Sequence, residues 1–246
     1  MDLGIEGRRA AVAAASRGLG FAVARMLAAE GVSVALCGRD AAAVEQAATA
    51  IGAAPIAADV STAEGASAFV REAREILGGV DILVPNAGGP PPGRFADVSD
   101  PAEYARAFEL NALSTIAMCS EAVPEMQARQ WGRVVAITSL AVRQPNPALI
   151  LSNTARAGVT AFLKTLAREV AADGVTVNSL QPGLHDTERL RALTGGTPVD
   201  TSGIPSGRVG TPDEFAALAV FLCSELAAYI TGTAIPVDGG AYGGLL

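Results

Sequence analysis

The stretch Ala10-Ala11-Val12-Ala13-Ala14-Ala15-Ser16-Arg17-Gly18-Leu19-Gly20-Phe21 decides how the rest of the chain is read. Its first five residues form a short, wholly apolar run, the pattern of a strand covered on both faces. The two glycines at 18 and 20 then let the backbone turn tightly. Over residues 21–30 apolar side chains recur at helical spacing, with Arg25 and Glu30 on the other side, and Gly31 stops the helix. A strand, a glycine turn and a helix in that order gather backbone N–H groups and the positive end of a helix dipole at one place. That is a receptor for phosphate, and after the first strand of a doubly wound sheet it is where a dinucleotide lies. Ser16, Arg17, Gly18, Leu19 and Gly20 are therefore candidate cofactor-binding residues.

The alternation continues outward from this turn. Strands are expected over residues 32–37, 53–58, 80–84, 133–138, 175–180 and 233–237. Helices are expected over 41–51, from the Thr62 cap to Gly78-Gly79, over 101–129 with a kink at Pro124, over 150–172, and from the Thr211 cap to about 226. Residues 88–93, Gly-Gly-Pro-Pro-Pro-Gly, fit neither a helix nor a central strand and read as a loop. Residues 184–210, rich in Gly, Pro and Thr, read as a mobile excursion. The pattern predicts one three-layer α/β unit over residues 1–246, a Rossmann-like, doubly wound parallel sheet of about seven strands.

Composition narrows the function classes. Half of the 246 residues are hydrophobic and only 4% are aromatic, which suits small side chains on closely packed helices. The net charge of −7 argues against DNA or RNA as the main partner, because phosphate contacts call for a basic face. Charges and glycines interrupt every apolar stretch short of membrane-spanning length, so no membrane association is expected. Cys37, Cys119 and Cys223 are odd in number and widely spaced, which suits buried free thiols. Met1-Asp2-Leu3-Gly4 opens no basic-then-apolar leader. A cytoplasmic protein acting on a small-molecule substrate is the expectation.

The end of the second strand bears on the choice of dinucleotide. An acidic residue there accepts from the ribose 2′-hydroxyl of NAD, whereas an arginine accommodates the 2′-phosphate of NADP. The chain has Cys37-Gly38-Arg39-Asp40. Arg39 supplies a cation and Arg17 could add a second, which favours NADP(H). Asp40 is either a ribose acceptor or the cap of the next helix.

These pieces resemble the short-chain dehydrogenase/reductase family along essentially the whole chain. Residues 13–20 resemble its Thr-Gly-x-x-x-Gly-x-Gly turn, and Asp59-Val60 its adenine-contacting pair. Pro85-Asn86-Ala87-Gly88 resembles its Asn-Asn-Ala-Gly motif. Asn111 and Ser139 stand where two members of its catalytic tetrad are expected. Pro182-Gly183 and Thr187 resemble the Pro-Gly-x-x-x-Thr segment that holds the nicotinamide amide. Thr231-Gly232 and residues 237–240 resemble its C-terminal signature. The resemblance implies a nicotinamide cofactor and a homo-oligomer, often a tetramer. Its general style is similar to 3-oxoacyl-acyl-carrier-protein reductases.

The resemblance breaks at the acid–base pair. Aligning Ala157-Gly158-Val159 with the family's Ala-Gly-Val places Ser152 at the tyrosine position and Arg156 at the lysine position. The chain's three tyrosines, Tyr104, Tyr229 and Tyr242, lie far away in sequence. A phenol near pKa 10 can be tuned toward neutrality; a serine hydroxyl is far less acidic. Arg156 can bind ribose or stabilise an oxyanion, but it cannot relay a proton. Ala14 replaces the first glycine of the turn, and Pro85 the first asparagine of its motif. His185, the only histidine, is one candidate acid; a water held by Ser139, Ser152 and Asn111 is another. Three functions remain open: an NADP(H)-dependent oxidoreductase with a non-standard acid–base site, a non-catalytic nucleotide-binding or regulatory protein, and an isomerase or dehydratase using the same pocket.

Overall fold

Strands that are apolar on both sides need cover on both faces. The computed structural model, which describes residues 1–245, provides it. The strands are β1 (Arg9–Val12), β2 (Ser33–Gly38), β3 (Ala54–Ala57), β4 (Ile82–Val84), β5 (Gly132–Ile137), β6 (Val175–Pro182) and β7 (Ala234–Val237). They form one sheet of seven strands in the order β3-β2-β1-β4-β5-β6-β7, and every neighbouring pair is parallel. The helices are α1 (Gly18–Ala29), α2 (Ala41–Ile51), α3 (Ala63–Leu77), α4 (Pro101–Phe108), α5 (Ser114–Ala128), α6 (Ile150–Val170), α7 (Glu188–Leu193) and α8 (Pro212–Leu222).

Successive side chains leave a strand on opposite faces. Val12, Leu36, Val84, Val135 and Leu180 pack with Leu27 of α1, Val44 of α2 and Phe215 of α8. Ala11, Leu83, Val134 and Val177 pack with Phe69 of α3, Met118 of α5 and Leu163 of α6. The result is the expected three-layer Rossmann-like fold. Connections leave β1 and β4 toward opposite ends of the sheet, so a crevice opens at their carboxyl ends.

Local chemistry sets the helix starts. Thr62 accepts from Gly65 N at 3.1 Å, and Thr211 forms a reciprocal capping box with Glu214. Each such cap is worth about 1 kcal/mol. Among the described residues no helix is long and apolar enough to cross a membrane.

Two elements differ from the sequence reading. The helical region over 101–129 is interrupted by a π turn at Glu109–Leu113, and α5 runs on through Pro124. Hydroxyls meet carbonyls at this turn: Ser114 donates to Leu110 O at 2.6 Å and Thr115 to Asn111 O at 2.9 Å. Such back-bonding bends a helix without a proline. The excursion over 184–210 is not structureless. It contains α7, and its neck is closed by Gly210 N donating to Leu184 O and Asp186 N to Gly210 O.

Candidate cofactor and active site

The glycine turn is shaped by steric necessity. A Cβ on Gly20 would stand 2.9 Å from both Ala14 O and Asn86 Nδ2, so only glycine fits. Asn86 crosses from the end of β4 and donates to Ala13 O and Ala14 O, both at 3.2 Å, which fixes the turn against its neighbouring strand. Ala14 itself has φ of +46°, in the left-handed region. For an L-residue that conformation costs about 1–2 kcal/mol. Gly18 opens α1 at φ of +64°, and no side chain caps the helix. Its first N–H groups are left for an anion. Leu19 packs against the core below, and Ser16 Oγ lies beside Gly38 at the end of β2.

At the ribose end, Arg39 is exposed and has no ion pair among the described residues. Asp40 accepts from Ala42 N at 3.0 Å and Ala43 N at 3.1 Å, so it caps α2. Arg17 lies in the glycine turn, and its side chain is exposed. Its guanidinium turns to Glu188 of α7, at 3.0 Å. Asp59 accepts from Ser61 N at the end of β3, and Val60 is buried in the core.

On the opposite side of the crevice, Ser139 follows β5 by two residues and caps a short 3-10 turn at Leu140–Val142. Its Oγ accepts from Ala141 N at 3.2 Å, which leaves the hydroxyl proton available. Ser152 and Arg156 lie one turn apart on α6, and both are buried. Arg156 Nη1 donates to Thr138 O at 2.7 Å and Ile137 O at 3.2 Å, and among the described residues its Nη2 and Nε have no acceptor. Burial, with Arg189 nearby, pushes its pKa down to about 10, so it remains a cation at neutral pH. Asn111 sits in the π turn. Its Nδ2 donates to Gly88 O at 3.0 Å, while its buried Oδ1 has no protein partner. Ala87 is half-buried beside it. Pro182 ends β6, Gly183 N donates to Val237 O at 2.9 Å, and Thr187 caps α7 through Leu190 N at 3.3 Å. The two serines, Asn111 and Arg156 thus come from elements that meet at the carboxyl ends of β4 and β5.

His185 does not join them. Its ring is buried against Phe215 of α8, with centroids 5.5 Å apart, and lies over Gly210. Nδ1 is 3.3 Å from Gly183 O, which satisfies it as a donor, and Nε2 is buried without a partner. Burial lowers its pKa below the usual 6.5. A neutral imidazole held in the α8 layer is a packing group, so the acid role expected for His185 is withdrawn. The three cysteines are buried, and burial pushes each thiol up to about 12, which makes them inert. Among the described residues no cluster of His, Cys, Asp or Glu could hold a metal.

The sequence reading passed over Glu188 and Arg189. Both follow Thr187 directly, and the pattern of a threonine cap with an acid in the first turn could have revealed α7.

Residues 13–242 match the family model described as enoyl-(acyl carrier protein) reductase. The chain belongs to the short-chain dehydrogenase/reductase family. It is 33% identical to the 3-oxoacyl-[acyl-carrier-protein] reductase FabG of Vibrio cholerae serotype O1, over 98% of this chain and 99% of that protein. It is 34% identical to human dehydrogenase/reductase SDR family member 4, over 94% of this chain and 86% of that one. Among solved structures, L-sorbose reductase of Gluconobacter frateurii, complexed with NADPH and L-sorbose, superposes with a TM-score of 0.91 at 34% identity over the whole of both chains. YwfH, an NADPH-dependent reductase of bacilysin biosynthesis, superposes with a TM-score of 0.91 at 27% identity, over 98% of this chain and all of that one. As a member of this family of oxidoreductases, the chain is an enzyme.

Proposed function

We propose that this enzyme is an NADP(H)-dependent oxidoreductase acting on a carbonyl or hydroxyl substrate, with Ser152 and Arg156 in place of the family's tyrosine and lysine. The observation that carries the cofactor reading is the pairing of an uncapped α1 N-terminus with an unpaired Arg39 at the end of β2. A diphosphate fits the first and a 2′-phosphate the second. NADPH is also named for the L-sorbose reductase and YwfH structures. Residues 16–20, Arg39, Asp59, Val60, residues 86–88, Arg156, Pro182, Gly183 and Thr187 would hold it. When bound, it supplies the hydride.

Ser139 and Ser152 then donate to the substrate oxygen, and Arg156 stabilises negative charge that develops there. The proton comes from a water that would give one hydrogen to the unpartnered Oδ1 of Asn111 and the other to the substrate oxygen, with the hydroxide left behind neutralised by a proton from solvent. Assembly into a homotetramer is part of the same proposal. It is supported by β7, whose residues are half-buried and whose outer edge has no strand beside it among the described residues. Light scattering tests the assembly.

NADPH oxidation across a carbonyl panel tests the function, with Ser139→Ala and His185→Gln as variants. Ser139→Ala is expected to lower kcat by about ten- to a thousandfold, as for loss of one oxyanion donor, and His185→Gln to leave it within a few-fold. NADPH binding without turnover would favour the regulatory reading. Reaction without net change in cofactor absorbance would favour an isomerase or dehydratase.

A further inference from the structure

The acid-rich chain presents two cations without counter-ions beside its candidate active site. Arg189 lies on α7, within the excursion that follows β6. Its guanidinium crosses the crevice to the β4 loop, where Nη1 reaches Gly89 O at 3.5 Å. A Cβ on Gly89 would lie 2.2 Å from Arg189 Nη2, so the guanidinium occupies the space that the glycine leaves. The preceding carbonyl, Gly88 O, accepts from Asn111 Nδ2. Arg189 therefore stands one residue along the same loop from the contact of a tetrad position.

The neighbours of Arg189 have partners. Glu188 pairs with Arg17 at 3.0 Å, and Arg191 forks onto both oxygens of Asp186 at 3.0 Å. Arg189 has no carboxylate among the described residues. Arg156 is buried and, among the described residues, has only the carbonyls of Ile137 and Thr138 as partners. The proximity of the two cations is strong enough that Arg189 disfavours the charged form of Arg156. A guanidinium with no carboxylate partner is a positive charge that an anion would neutralise, and its fork matches a carboxylate.

We propose that Arg189 is the receptor for a carboxylate on the substrate, so that the enzyme acts on oxo acids or the corresponding hydroxy acids. This rests on the oxidoreductase reading above and names its substrate class. A cofactor phosphate offers similar chemistry, and the experiment separates the two.

Calorimetry on the NADP⁺-loaded protein, where no hydride can pass, would follow binding of a series from 2-oxo to 6-oxo straight-chain acids against their methyl esters. At least one acid is expected to bind about tenfold or more tightly than its ester. Arg189→Met should abolish that preference, Arg189→Lys should restore part of it, and the Kd for NADP⁺ should change less than twofold in both. The proposal is overturned if no acid outperforms its ester, or if Arg189→Met weakens NADP⁺ while the acid preference persists. Failure of NADP⁺ itself to bind is a different result, visible in the first titration. It would sink the oxidoreductase reading, and the acid and ester series would then be run on the unloaded chain with the same criteria.

Discussion

The guanidinium of Arg156 reaches 2.7 Å from the carbonyl oxygen of Thr138, so a helix side chain holds the strand end from which Ser139 projects. The same nitrogen serves Ile137 O at 3.2 Å. Arg156 is thus both a cation at the site and the clamp between α6 and β5.

Removing that clamp has a predictable cost. Arg156→Met deprives two buried carbonyls of their donor, and an unsatisfied buried acceptor costs about 1–3 kcal/mol. We expect the melting temperature to fall by several degrees and kcat/KM to fall at least tenfold, whereas Arg156→Lys should recover stability more fully than activity. Calorimetric melting alongside steady-state kinetics checks this. An Arg156→Met variant as stable as the parent would show that the carbonyls find other donors.

The sheet was legible because its signals are short-range. Apolar runs such as residues 82–84 and 134–137, together with the caps Thr62 and Thr211, mark their elements without help from the rest of the chain. What the sequence hid depended on long-range contacts. The π turn at Glu109–Leu113, with its hydroxyl back-bonds, sits within a continuous helical pattern, which periodicity does not reveal. His185 looked like an acid from its place after Pro182-Gly183. Its ring goes to Phe215 because Gly210 makes room for it, and that residue lies 25 positions further on. The pair of Arg17 with Glu188 of α7 joins residues 171 positions apart, which local pattern does not reveal.

Ala14 offers a gain in stability. Its φ of +46° is one that glycine adopts without strain. Ala14→Gly removes the steric cost but loosens the unfolded chain, so the net gain is expected to be about 1 kcal/mol, or roughly 2–4 °C in Tm for a chain of this size. Thermal unfolding with and without NADPH measures it. A lower Tm in the glycine variant would mean that the methyl group contributes more through packing than the conformation costs.

His185 should make the fold sensitive to acid. Its pKa is lowered by burial from the 6.5 that an exposed imidazole shows. As pH falls through that value, the unfolded chain takes up a proton that the folded chain refuses, so stability declines. The decline ends below the folded pKa, and above about pH 7 this group contributes no pH dependence. Urea midpoints between pH 5 and pH 8 should therefore slope in the parent and flatten in His185→Gln. An equal slope in both would assign the titration to another group.

The two arginines first read as a phosphate clamp should now behave differently. Arg39 has no ion pair among the described residues, while Arg17 is in an exposed pair with Glu188. A charge-assisted hydrogen bond is worth about 1.5–3 kcal/mol, so Arg39→Ser should weaken NADPH binding by about ten- to a hundredfold. NADH lacks the 2′-phosphate and should bind Arg39→Ser as it binds the parent. Arg17 must first leave Glu188, an exposed pair worth about 0–1 kcal/mol, so Arg17→Ser should weaken NADPH binding by less than Arg39→Ser does. Fluorescence titrations of both nucleotides against both variants measure all four values. Equal losses for NADPH and NADH in Arg39→Ser would place the guanidinium on a feature common to both nucleotides, and the preference for NADP(H) would then need a different residue.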